Sequence, residues 1–112
     1  MNNRKITETL WVGAQLTPEE VAEARAAGFA AIISARPDGE DADQPAFADV
    51  ARAAEVAGLP IRHIPVVPGQ ATEADVRAFA EAVRALPHPV LAYCRSGGRA
   101  EKLWQEAERI GA

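Results

Sequence analysis

Val90-Leu91-Ala92-Tyr93-Cys94-Arg95-Ser96-Gly97-Gly98-Arg99 carries the only cysteine of the chain from an apolar run into a glycine-rich turn. Val90 to Tyr93 reads as a short buried strand, and an amphipathic helix begins around Gly98. A turn of this kind aims backbone N–H groups inward, and the N-terminus of the following helix adds partial positive charge; together they form an anion cradle. Cys94 is expected at its floor and Arg99 at its rim, with Arg95, Ser96, Gly97 and Gly98 between them. The same surroundings favour a thiolate, which makes Cys94 a candidate nucleophile. A cysteine buried only for packing has no need of two glycines and two arginines in the next five positions.

On either side of this segment strands alternate with helices. Leu10-Trp11-Val12-Gly13 is a strand candidate, and Thr17-Pro18-Glu19-Glu20 is a helix start, with a capping residue, an early proline and carboxylates near the positive dipole end. That helix places Val21, Ala24 and Ala27 on one face and stops at Gly28. Phe29 to Ser34 reads as a buried strand, Arg36 to Asp41 as a loop, and Pro45 as the start of a second helix ending at Gly58. A third strand is expected from Ile61 to Val66. Thr72-Glu73-Ala74-Asp75 resembles a capping segment before a helix carrying Val76, Phe79, Ala80, Val83 and Leu86 at the helical period. The last helix presents Leu103, Trp104, Ala107 and Ile110 and ends at Gly111. The alternation predicts one α/β domain over residues 1–112, a mostly parallel sheet of about four strands with helices on both faces. Ligands bind such sheets beyond the carboxyl ends of the strands, where Cys94 falls.

The chain has 112 residues, enough for a single core but not two. Its net charge of -4 gives no general attraction to nucleic acid or anionic membranes, so affinity for anions must be local, at Arg95 and Arg99. One cysteine excludes an internal disulfide and a cysteine-based zinc site. Met1 to Lys5 lead into no apolar signal core, and the expected compartment is the cytoplasm. No cofactor is expected, and the acidic residues Asp38, Glu40, Asp41 and Asp43 read as a solvated loop rather than a metal site. Arg36, just after the second predicted buried strand, either lines the pocket or pairs with these carboxylates. His63, His88, Trp11 and Trp104 read as structural or packing residues.

Cys94 to Arg99 resembles the active-site loop of two related groups. The rhodanese sulfurtransferases have the same length from cysteine to arginine, and the cysteine-dependent phosphatases have one residue more. Most of the chain, about residues 8–106, is similar to the small bacterial family DUF442, the phosphatase-like domain of β-lactamase hydrolase-like proteins. The matching segments are Leu10 to Gln15, Ala27-Gly28-Phe29, Ile32 to Glu40, Ile64-Pro65-Val66 and Cys94 to Trp104. The resemblance implies a dual-specificity-phosphatase-like fold. Members are described both as phosphatases and as sulfur transferases, and some are fused to persulfide dioxygenases.

Four departures from the phosphatase pattern bear on that choice. The loop is shorter, and a tighter ring suits a persulfide sulfur. The general acid of dual-specificity phosphatases would fall on Val67 or Pro68, which donate no proton, and Asp75 is too far along. Tyr93 stands where phosphatases commonly have histidine, and Ala100 where they have a hydroxyl. The first expectation is therefore rhodanese-like sulfur transfer through a Cys94 persulfide. A thiosulfate or persulfide donor would be held by Arg99 with Arg95, and would pass its sulfur on to a thiol acceptor or cyanide. Hydrolysis of a phosphate ester through phospho-Cys94 is the alternative, and a non-catalytic anion-binding module is a third class. A separate persulfide dioxygenase is a candidate partner; nucleic acid and membrane are not.

Overall fold

The structure, a computed structural model, describes residues 2–112. The elements run β1 (Asn3–Lys5), β2 (Leu10–Gly13), α1 (Pro18–Ala26), β3 (Ala31–Ser34), α2 (Phe47–Ala57), β4 (Ile61–His63), α3 (Glu73–Ala85), β5 (Val90–Tyr93) and α4 (Gly98–Ile110). The sheet order is β1-β2-β5-β3-β4, with β1 antiparallel to β2 and the other pairings parallel. The cysteine strand β5 is central: Val90 pairs with both Leu10 and Ala31, and Tyr93 with both Gly13 and Ser34. The strands β2, β5 and β3 thus end on one line, and the loops leaving them emerge at the same edge of the sheet.

Period-two alternation along β5 divides the core. Val90, Ala92 and Cys94 face the layer of α3 and α4, where Phe79, Val83, Leu103 and Ala107 pack. Leu91 and Tyr93 face α1 and α2, against Val21, Ala24, Val50 and Ala54. All five apolar positions read from the periodicity of α3 are buried. Thr17 and Thr72 both form full capping boxes, with Glu20 and Asp75 at the third helical position.

Several boundaries differ from expectation. β1 is a fifth, edge strand beyond the four expected; its Asn-Arg-Lys sequence carries no strand signal, and it exists by pairing with β2. The strand expected from Ile61 to Val66 ends at His63. Ile64 and Val66 still donate to Ser34 O and Ala35 O, at 2.8 and 3.1 Å, but Pro65 between them has no N–H to give. Similarly, β3 begins at Ala31 rather than Phe29. α2 starts at Phe47 rather than Pro45, with the Phe47 N–H taken by Asp38 Oδ1 at 2.8 Å because its capping residue, Ala46, has no side-chain acceptor. Ala27 lies past the end of α1 and is exposed instead of joining its buried face. No helix among the described residues is long and apolar enough to cross a membrane.

If β5 is the centre of the core, truncation there should be costly. Leu91→Ala, at a fully buried site, is expected to lower unfolding free energy by about 2–5 kcal/mol. Val56→Ala, where the side chain is 86% exposed, should change it by less than about 0.5 kcal/mol. Urea unfolding of both variants checks the contrast; similar small losses would place the core elsewhere.

Candidate active site

Between the end of β5 and the start of α4 the chain makes a tight ring. Cys94 N–H donates to Gly13 O at 3.3 Å and Gln15 N–H to Arg95 O at 3.4 Å, which tie the ring to the segment after β2. Gly97, at φ +96°, turns the backbone into α4. Its left-handed φ favours glycine, and a side chain there would also crowd Gly13 O at 3.3 Å and the Arg4 guanidinium at 3.4 Å. The turn points Gly97 N–H at Cys94 Sγ, 3.1 Å away. That hydrogen bond and the helix N-terminus both stabilise negative charge on the sulfur. Among the described residues, the backbone N–H groups of Arg95, Ser96 and Arg99 have no protein acceptor, and Gly98 N–H reaches only Ser96 Oγ, at 3.4 Å. Cys94 lines a cavity of about 610 Å³ with Arg95, Ser96, Gly98, Arg99 and Lys102.

Arg99 is held by three groups. Its Nη1 donates to Glu40 Oε2 at 3.0 Å and to Val66 O at 2.9 Å, with Ala35 O at 3.5 Å, and its Nη2 donates to Glu40 Oε1 at 3.0 Å. Glu40 therefore grips the end-on fork, Nη1 with Nη2. The side-on fork, formed by Nε–H and the second hydrogen of Nη2, has no protein acceptor among the described residues. A planar guanidinium can offer that edge to two oxygens of one anion while Glu40 keeps it in place.

Arg36 does not line the pocket. It is only 4% exposed, and its donors are used inside the protein: Nε to Glu40 Oε1 at 3.0 Å, Nη1 to Gln15 Oε1 at 3.1 Å and Nη2 to Asp41 Oδ2 at 2.7 Å. Of the two placements open to Arg36, pairing with the neighbouring carboxylates is the one found, and the expectation that it also binds the anion is corrected: a charge this buried needs these partners, and all three of its nitrogens are engaged inside the protein. His63 braces the same loop, with Nε2 2.8 Å from Arg36 O and its ring stacked on Phe47 at 4.1 Å. Arg95 is exposed at the rim, its Nε 3.4 Å from Asp41 Oδ2.

Glu40 is the residue that reading the sequence for function missed. Partial burial pushes its carboxyl up, but hydrogen bonds from Arg99 and Arg36 outweigh that and hold it below the ordinary carboxylate value. Asp41 also reaches the cavity, bonded to Arg36. Both carboxylates accept from arginines, Glu40 through both oxygens and Asp41 through Oδ2. Val67 and Pro68 line the cavity where a phosphatase acid would be sought. Among the described residues no three metal-ligating side chains converge.

The family model for the beta-lactamase hydrolase-like protein, phosphatase-like domain, matches residues 2–110. The beta-lactamase hydrolase-like protein of Agrobacterium fabrum is 38% identical over 106 residues, covering 95% of this chain. The chain spans about a quarter (25%) of the length of that relative. A crystal structure of a candidate phosphatase from Neisseria meningitidis superposes with a TM-score of 0.85 at 35% identity, over 94% of this chain and 76% of that one. A DUF442 candidate phosphatase from Shewanella putrefaciens gives 0.80 at 22% identity over 97% and 69%, a likeness of fold.

Glu40→Gln keeps the shape but removes the charge shared by the two guanidiniums, and is expected to cost about 1–3 kcal/mol at neutral pH. Because the folded carboxyl titrates below its ordinary value of 4.5, its contribution is complete above that value and is lost as pH falls through the lower folded one. The deficit of the variant should thus shrink when urea unfolding is repeated in acid. A deficit that is the same at both pH values would show that the Glu40 charge does not hold the loop.

Proposed function

The chain belongs to the family of the phosphatase-like domain of beta-lactamase hydrolase-like proteins, and from that premise we propose that it hydrolyses small phosphorylated compounds through a phospho-Cys94 intermediate. The observation that carries this reading is the side-on fork of Arg99, unpaired among the described residues and held by Glu40 on the cavity that Cys94 also lines, with the sulfur accepting Gly97 N–H. A phosphoryl group needs this combination: a nucleophile below, donors for its equatorial oxygens around it, and an open side for the leaving group.

The Cys94 thiolate attacks phosphorus, forming an S–P bond as the P–O bond to the leaving group breaks. The free N–H groups of the ring and the Arg99 fork take up the charge on the equatorial oxygens. Water then attacks the phosphocysteine, orthophosphate departs, and the thiolate is restored with the water's proton going to solvent. Glu40 positions Arg99, and Arg36 positions Glu40. Sulfur transfer, the first expectation from loop length, finds no support among the relatives; the missing proton donor that favoured it equally fits a phosphatase whose leaving group departs without protonation.

Cys94→Ser should abolish Cys94-dependent turnover of p-nitrophenyl phosphate. Arg99→Lys keeps the charge but loses the fork, and is expected to cost about 1.5–3 kcal/mol in kcat/KM, roughly tenfold to a hundredfold. Arg95→Lys, at an exposed position, should lose much less. Steady-state kinetics on one preparation, assayed in parallel for thiocyanate formation from thiosulfate and cyanide, checks the set. Thiocyanate formation without phosphatase turnover would restore the sulfur-transfer reading.

A further inference from the structure

The cavity above Cys94 does not end at Arg99. A second cavity of about 630 Å³ lies between α3 and α4, and the two share Gly69, Arg99 and Lys102 as lining. Lys102 stands one turn beyond Arg99 on α4, exposed, at the junction. The other charges of the second cavity are spent on neighbours: Arg109 pairs with Glu106, and Glu73 with Arg77. Lys102 makes no ion pair among the described residues, so the junction carries an uncommitted cation a short way from the floor of the cradle.

The chemistry of the site restricts which groups can leave. An alkoxide must be protonated as it departs, and the carboxylates at the rim are bonded to arginines. A phosphate monoester, whose second proton comes off near pH ~6, departs from an anhydride as its dianion with no acid, and the orthophosphate released from pyrophosphate does the same while it keeps one proton. An aryl leaving group shares that advantage but carries no charge until its bond to phosphorus breaks.

Resting on the phosphatase reading and narrowing it, we propose that the substrate is a phosphoanhydride, with the transferred phosphoryl over Cys94 and the leaving phosphate against Lys102. The Cys94 thiolate forms an S–P bond to the terminal phosphorus as the bridging P–O bond breaks. The electron pair stays on the departing phosphate oxygen, and the ammonium of Lys102 offsets its charge. Water then hydrolyses the phosphocysteine, with its proton released to solvent.

The test compares kcat/KM for inorganic pyrophosphate, p-nitrophenyl phosphate and glycerol 2-phosphate, using the whole chain, Lys102→Ala and Lys102→Arg. Pyrophosphate should be turned over and glycerol 2-phosphate should not. Lys102→Ala should lower the pyrophosphate to p-nitrophenyl phosphate ratio by tenfold or more, and Lys102→Arg should retain it. Cys94-dependent turnover of p-nitrophenyl phosphate with an unchanged ratio in Lys102→Ala would overturn the anhydride proposal while leaving the phosphatase reading intact. If neither compound is turned over, the phosphatase reading fails. Where p-nitrophenyl phosphate is turned over, calorimetry on Cys94→Ser reads the subsite directly: pyrophosphate bound more tightly than orthophosphate, with the difference lost on adding Lys102→Ala, supports it. Equal affinities overturn it.

Discussion

The carboxylate of Glu40 lies between the guanidiniums of Arg36 and Arg99, accepting 3.0 Å hydrogen bonds from both. This shared ion pair joins the loop after β3 to the first turn of α4. It neutralises a guanidinium that is only 4% exposed, leaves the side-on edge of Arg99 unpaired among the described residues, and keeps Glu40 ionised. Without it, Arg99 would be held only by the carbonyls of Val66 and Ala35, both on Nη1. With it, the arginine is presented in one orientation before any ligand arrives, which is what transition-state stabilisation by fixed charges requires.

The parts of this architecture set by nearby residues are legible in the sequence. Val90 to Tyr93 followed by a cysteine and two glycines is a local pattern, and the strand, the turn and the helix start are where it places them. The capping boxes at Thr17 and Thr72 and the buried face of α3 are equally local. The features that escape such a reading depend on residues brought together by the fold. β1 is a strand because β2 offers it an open edge. Asp38 caps α2 from nine residues upstream. Arg99 and Glu40 are 59 positions apart, and no periodicity records that they meet. Arg36 does sit at the sheet edge where its place after a strand puts it, yet burial turns it inward to the acidic loop and away from the pocket.

The same network bears on the reaction. A six-residue ring with an amide on the sulfur and a braced arginine at its end offers donors suited to an anion, whether the atom transferred is phosphorus or sulfur. The family relationship favours phosphorus. The carboxylates at the rim, which in another arrangement would serve as acids, are here given over to organising arginines. In the proposed reaction, specificity then rests on the identity of the leaving group rather than on proton donation.

The central claim is that phosphorus, rather than sulfur, becomes bonded to Cys94. Acid-quenched protein should be taken during turnover of a phosphorylated donor, and after thiosulfate treatment, and the Cys94 peptide read by mass spectrometry with 31P NMR of the intact adduct. A phosphoryl adduct on Cys94 with a thiophosphate resonance, absent after thiosulfate, is the predicted result. A sulfur adduct from thiosulfate with no phosphoryl adduct from any donor would contradict it.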